Sequence, residues 1–173
     1  MSPTDRPAAI RRALRDLVAE RGFHGASMAA VAKRAGVATG TAYVHYSSKE
    51  EVVFATYLEI KSDLGAAVLE GDPEAGAPRE RWEHVLVRCF EHLEAEPERA
   101  RFLTQLEESP FYEEARARLA ETGDPLSSIA REGDLAGLFV DLPFDVIYAL
   151  SLGVVVRLAA AGHPFIMRFH SKG

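Results

Sequence analysis

The spacing of apolar residues constrains this chain more than any other feature of it. From end to end they recur at intervals of three and four, and the alternation of a half-buried strand is absent. Ile10, Ala13, Leu14, Leu17 and Val18 form one such stripe, with Gly22 placed where a helix would stop in the left-handed conformation. Ser27 can cap a second, short helix by accepting from a free N–H of its first turn; Met28, Val31, Ala32 and Ala35 are its inner stripe and Gly36 ends it. A third helix is expected over about residues 39–46. Ser48 and Glu51 form an S-x-x-E capping box for a long fourth helix, which runs until GDPEAGAP interrupts it. Trp82, Val85, Leu86, Cys89, Phe90 and Leu93 give a fifth helix its apolar face, while Pro97, Pro110, Pro125 and Pro143 sit where further helices could begin. The last strong helix, from about Pro143 to Ala161, is apolar on nearly every side, so its own domain or a second subunit must cover it. The expected fold class is therefore all-α, with no internal repeat and one linker, GDPEAGAP.

A chain of 173 residues that is 47% apolar can bury a substantial core. Its single cysteine, Cys89, rules out an intramolecular disulfide and a four-thiolate metal site within one subunit. Its place on the inner face of the fifth helix reads as a small core residue rather than a redox sensor. His84 and His92 lie two helical turns apart, too far to grip one ion unaided, and read as a solvated surface pair. His24 reads as an exposed turn residue. The stretch from Val146 to Val156 falls well short of the roughly 20 residues needed to cross a bilayer. No apolar segment follows the charges of MSPTDRPAAIRR, so a soluble cytoplasmic protein is expected.

Charge is divided unevenly. Eight Lys or Arg against three acids give residues 1–49 a net +5, which leaves −11 for the rest of a chain whose total is −6. A basic N-terminal third on an acidic body is what a nucleic-acid-binding module joined to another domain would look like.

Within that basic third, a short helix, a glycine turn and a second short helix follow the helix-turn-helix plan, in which the second helix enters the major groove. On a helical wheel, Ala42 and Tyr46 of the third helix fall together on the inward side, continuing from Val37. Gly40, Tyr43 and Val44 fall on the other. Gly40 leaves that outer face without bulk, so a rigid object could approach the backbone, flanked by donors from Tyr43, His45 and Lys49. Ser27, Thr39, Thr41, Tyr43, His45 and Lys49 are of the types that bind phosphate and set register without reading bases.

The run GFHGASMAAVAKRAGVATGTAYVHYSSKEEV resembles the DNA-binding domain of the tetracycline-repressor (TetR) family. The shared pattern is a Gly-Phe after helix one, a capping Ser or Thr, Ala-Gly-Val at the turn, Gly-Thr-x-Tyr in the recognition helix and Lys-Glu opening helix four. Departures are Ala38 where a capping Ser is common, Ala42 where a larger aliphatic is usual, and Tyr46 in place of Phe. The resemblance implies a DNA-binding domain over residues 1–50 and a helical ligand-binding and dimerisation domain over 51–173. It implies a homodimeric repressor that holds a palindromic double-stranded DNA operator and is released by a small molecule. By position it assigns DNA contact to Ser27, Thr39, Gly40, Thr41, Tyr43, Val44, His45 and Lys49. A largely apolar effector would lie in the body, walled by Trp82, Leu86, Phe90, Phe102 and Leu106. No catalytic residue, cofactor or metal is expected: no nucleophile–base pair, phosphate-cradling loop or ligand cluster can be assembled. The competing reading is a helical adaptor that binds protein and uses no DNA.

Overall fold

A computed structural model describes residues 5–71, 77–124, 126 and 144–163. All regular structure among them is helical. In chain order α1 is Arg6–Arg21, α2 Met28–Ala35, α3 Thr39–His45, α4 Lys49–Leu69, α5 Pro78–Ala95, α6 Pro97–Glu107, α7 Tyr112–Thr122, α8 Phe144–Leu150 and α9 Leu152–Ala161. A short 3-10 turn, Phe23–Gly25, follows α1.

Helix boundaries follow local chemistry. Ser27 caps α2 by accepting from the Ala30 N–H at 3.2 Å, and Gly36 closes it at φ +70°, ψ +30°, a conformation that a side chain would strain. Gly22 has positive φ (+68°) but an extended ψ of 177°, so α1 ends in a straight exit rather than in the expected left-handed turn. Ser48 accepts from the Glu51 N–H at 3.3 Å, giving the first half of the expected capping box. The return half is replaced: both Glu51 carboxylate oxygens accept from Arg118 on α7, at 3.0 and 3.2 Å. Proline opens α5 and α6 at Pro78 and Pro97. Pro125 and Pro143 lie outside the described residues.

The stripes read from the sequence are buried. Ile10, Leu14, Val18, Val31, Val52, Leu93, Phe102 and Leu106 have no exposed surface, and apolar residues from Ile10 to Ala159 make one core. Full burial of a side chain such as Phe102 contributes about 1.5–3 kcal/mol. Helix α1 packs on α2, α4 and α6; α4 packs on α5 and α7; α9 packs on α5 and α6. Helix α4 thus touches both α1 and the body.

One expectation is corrected. The run between about residues 143 and 161 is two helices, α8 and α9, broken at Ser151, whose backbone leaves the helical region at φ −124°, ψ −86°. The Ser151 hydroxyl donates back to the Ile147 carbonyl, competing with the helical ladder. Val146, Leu150 and Val154, on either side of the break, are exposed at 39%, 69% and 42%. No helix among the described residues is long and apolar enough to cross a membrane.

Candidate nucleic-acid interface

Helix α3 is held from beneath and left bare above. Ala42, where the family more often carries a larger aliphatic, is completely buried and belongs to the core. Tyr46, just past the end of α3, is partly buried, and its hydroxyl oxygen accepts from Arg11 Nη1 at 2.7 Å. That anchors the end of the helix to α1. Ala38 offers no side-chain cap, and the first turn is closed by backbone bonds from the Thr41 and Ala42 N–H groups to the Ala38 carbonyl at 2.9 and 3.2 Å.

The outward side is open. A methyl group placed on Gly40 would meet nothing within 4 Å. Tyr43 is 51% and Val44 81% exposed; Ser27, Thr39 and His45 are exposed beside them, and Thr41 is half-buried. Tyr43 and Val44 thus form an adjacent exposed pair on the side of α3 that the subunit leaves uncovered.

Lys49 does not join this face. Its Nζ donates to the Phe23 carbonyl at 3.2 Å and lies 5.7 Å from the Phe111 ring centroid. Phe23 packs in turn against Phe102 and Phe111, centroids 5.9 and 5.3 Å apart. In the structure this lysine is part of the joint between the N-terminal helices and the body. Sequence reasoning missed that joint because its members are far apart in the chain.

Much of the N-terminal positive charge is spent on ion pairs within the subunit. Arg11 Nη2 binds Glu59 at 2.7 Å, and Arg15 binds Glu96 at 2.8 Å and Asp16 at 3.1 Å. Arg34 holds both carboxylate oxygens of Glu20, at 2.9 and 2.7 Å. Arg12 and Lys33 pair with no described residue. A polar cleft of about 390 Å³ lies along this joint, walled by Arg11, Arg12, Arg15, Glu59, Glu96 and Arg99.

The five apolar residues expected to wall an effector site do not line that cleft. Trp82, Leu86, Phe90, Phe102 and Leu106 are each at most 7% exposed, inside the body. Cys89 is buried among them, and burial pushes its thiol up to about 12, which leaves it inert at neutral pH. The histidines are not a solvated pair: His84 Nε2 lies 3.0 Å from the Val68 carbonyl, and His92 lies against Arg99.

Residues 10–56 match the family model described as bacterial regulatory proteins, tetR family. The chain is 28% identical over 106 residues to the fatty acid metabolism regulator protein of Bacillus subtilis, a match spanning 61% of this chain and 54% of that protein's length. Its fold superposes on a TetR family transcription regulator from Marinobacter aquaeolei at a TM-score of 0.77, with 24% identity, covering 90% of this chain and 82% of that one. It also superposes on the transcriptional regulator FadR of Bacillus subtilis in complex with stearoyl-CoA, at a TM-score of 0.70 and 22% identity over 89% and 85% of the two chains. With the helix-turn-helix geometry in place, these likenesses give residues 10–56 their family: they are a DNA-binding domain of the tetR family of bacterial regulatory proteins, carried on a chain with the fold of TetR family regulators.

Proposed function

We propose that this DNA-binding regulator is a ligand-responsive repressor that grips a palindromic operator as a homodimer and is released by a small molecule. The observation that carries the reading is the bare outer face of α3, where Gly40 leaves room for a backbone-close approach and Tyr43 and Val44 project outward. In the major groove, Val44 would sit against a thymine methyl or another apolar base edge. Ser27, Thr39, Thr41, Tyr43 and His45 supply phosphate donors around it. Gly40 lets the duplex come close. Lys49 is better suited to fixing α4 beneath the reading helix than to touching DNA.

A second copy would cover Val146, Leu150 and Val154, the exposed apolar stripe of α8 and α9. Paired in this way, two copies of α3 would reach successive major grooves about 34 Å apart, or a multiple of that. Trp82, Leu86, Phe90, Phe102 and Leu106 form the apolar wall of the effector site. That an acyl-CoA sits in the Bacillus subtilis FadR complex supports a largely apolar effector here. An effector that binds one arrangement of the body more tightly would shift α4 and spoil the half-site spacing, by no more than its differential affinity for the two states.

The test starts from genomic fragments retained by the purified protein, whose shared sequence is then titrated as a labelled duplex. A specific complex should lose about 0.9 log units of affinity per log unit of salt for every phosphate contacted. Tyr43→Ala should weaken it at least tenfold with helicity unchanged. A protein that retains no duplex would favour the adaptor reading instead, and a Tyr43→Ala variant of wild-type affinity would take the DNA contact off this face of α3.

A further inference from the structure

Near the middle of α4, Lys61 is only 3% exposed. A buried ammonium gives up a large hydration energy that only a close partner can offset. Its partner is Asp124, with Oδ2 3.4 Å from Nζ, while the Tyr148 ring of α8 lies 5.6 Å away. The two charges are held differently. Lys61 is fixed within a 21-residue helix, whereas Asp124 follows Gly123 beyond the end of α7, accepts from the Leu126 N–H through Oδ1 at 3.1 Å, and keeps 18% exposure of its side chain.

The surroundings come from several helices. Tyr57 of α4, Cys89 of α5, Glu107 of α6 and Tyr112 of α7 lie close enough to influence one another's ionisation with Lys61, Asp124 and Tyr148. Burial raises the Tyr57 and Tyr148 hydroxyls well above their ordinary value, so both stay protonated and able to donate. Apolar wall residues adjoin this group in sequence on both sides: Cys89 lies between Leu86 and Phe90 on the buried face of α5, and Glu107 follows Leu106.

We propose that Lys61 is the polar anchor of the effector site, and that the effector is a monocarboxylate on an apolar body that takes the place of Asp124. This rests on the ligand-responsive reading above and adds the chemical class. An anion fits better than a cation because Asp124 is the exchangeable member of the pair: it stands past a helix end with part of its side chain in solvent, where water can replace Lys61 while Oδ1 keeps the Leu126 N–H, and Lys61 has no such exit. A single carboxylate fits better than a phosphate because one buried ammonium neutralises one charge, and a dianion would leave the second uncompensated. Displacing Asp124 also reaches the reading helix. Arg118, on the helix that ends next to Asp124, holds Glu51 in the first turn of α4 through two hydrogen bonds, and α4 begins just after α3.

The experiment titrates octanoate and dodecanoate, with 1-octanol and 1-dodecanol as neutral probes of equal length, against full-length protein. Fluorescence of Trp82, the chain's single tryptophan, reports binding. Wild type should prefer each carboxylate to its alcohol. Lys61→Met should lose at least about tenfold in carboxylate affinity while still binding alcohols, and Asp124→Asn, which removes the competitor, should gain about tenfold. Should Lys61→Met fail to fold, Asp124→Asn alone decides. The proposal is overturned if carboxylates and alcohols bind alike, if no carboxylate binds wild type or Asp124→Asn, or if Asp124→Asn binds no tighter than wild type. Duplex binding is measured on the same samples. Its failure beside the expected carboxylate preference would remove the regulator reading and leave the ligand class standing.

Discussion

The outer face of α3 and the underside of α1 both belong to the basic third of the chain, and both are polar, yet the fold uses them in opposite ways. On α3 the exposed Thr39, Gly40, Tyr43 and Val44 are turned away from the protein, and a methyl group on Gly40 would find only open space. Beneath α1, Arg11 and Arg15 are closed onto Glu59 and Glu96, far along the chain. A count of charges treats these two surfaces as one basic module. The coordinates divide them into a surface prepared for another molecule and a joint that fixes the angle at which that surface is presented.

The largest expected effect breaks α3 on its two sides in opposite senses. Gly40→Leu places a side chain where no protein atom waits and replaces the poorest non-proline helix former with a good one, so stability should hold or rise by up to about 1 kcal/mol. Duplex affinity should nevertheless fall by about tenfold to a hundredfold, because the added bulk keeps the helix out of the groove. Ala42→Leu reverses the pattern: crowding a site with no exposed surface should cost about 1–3 kcal/mol of stability. Thermal melts and anisotropy titrations on both variants separate the cases. Equal losses of stability would mean that the outer face is packed after all.

A smaller effect separates joint from interface. Arg15→Gln removes the bonds to Glu96 and Asp16 and should lower the melting temperature. The salt dependence of duplex binding should keep its slope, whereas loss of a phosphate-bound cation would reduce that slope by about 1. A shallower slope for Arg15→Gln would move α1 from the joint to the DNA surface.

The contrast also explains what could be read from sequence. Caps, glycine turns and apolar stripes are local, so Ser27, Gly36, the burial of Ala42 and the exposure of Tyr43 followed from spacing alone. Lys49 did not. Its type and position suited phosphate, but its actual partners, Phe23 and Phe111, lie 26 and 62 residues away. The same limit hid the Arg118 clamp on Glu51 and the Lys61–Asp124 pair. Spacing gave no sign of the break at Ser151 either, since a run apolar on every side has no polar face whose interruption would mark it.

The smallest effect concerns protons at the joint. His92 is half-buried beside Arg99, and since the Arg99 Nη1–H donates to His92 Nε2, the imidazole is neutral there. Burial lowers its pKa from the ordinary 6.5, and Arg99 lowers it further; Asp63 and Glu96 oppose the shift, while Arg88 adds to it. Burial raises Glu96, but Arg99 and Arg15 outweigh this and hold it below the ordinary carboxylate value. Both groups therefore bind fewer protons folded than unfolded. Their stabilisation is fully present above the unfolded values and drains as pH falls, first through His92 below 6.5 and then, in a more acidic range, through Glu96. In His92→Gln the amide oxygen can still accept from Arg99 but cannot titrate, so the melting temperature should fall less between neutral pH and the acidic side of 6.5 than it does in wild type. Identical pH profiles for the two proteins would show that the joint is indifferent to the charge on this ring, and that its ion pairs hold α1 in place without help from the neutral imidazole.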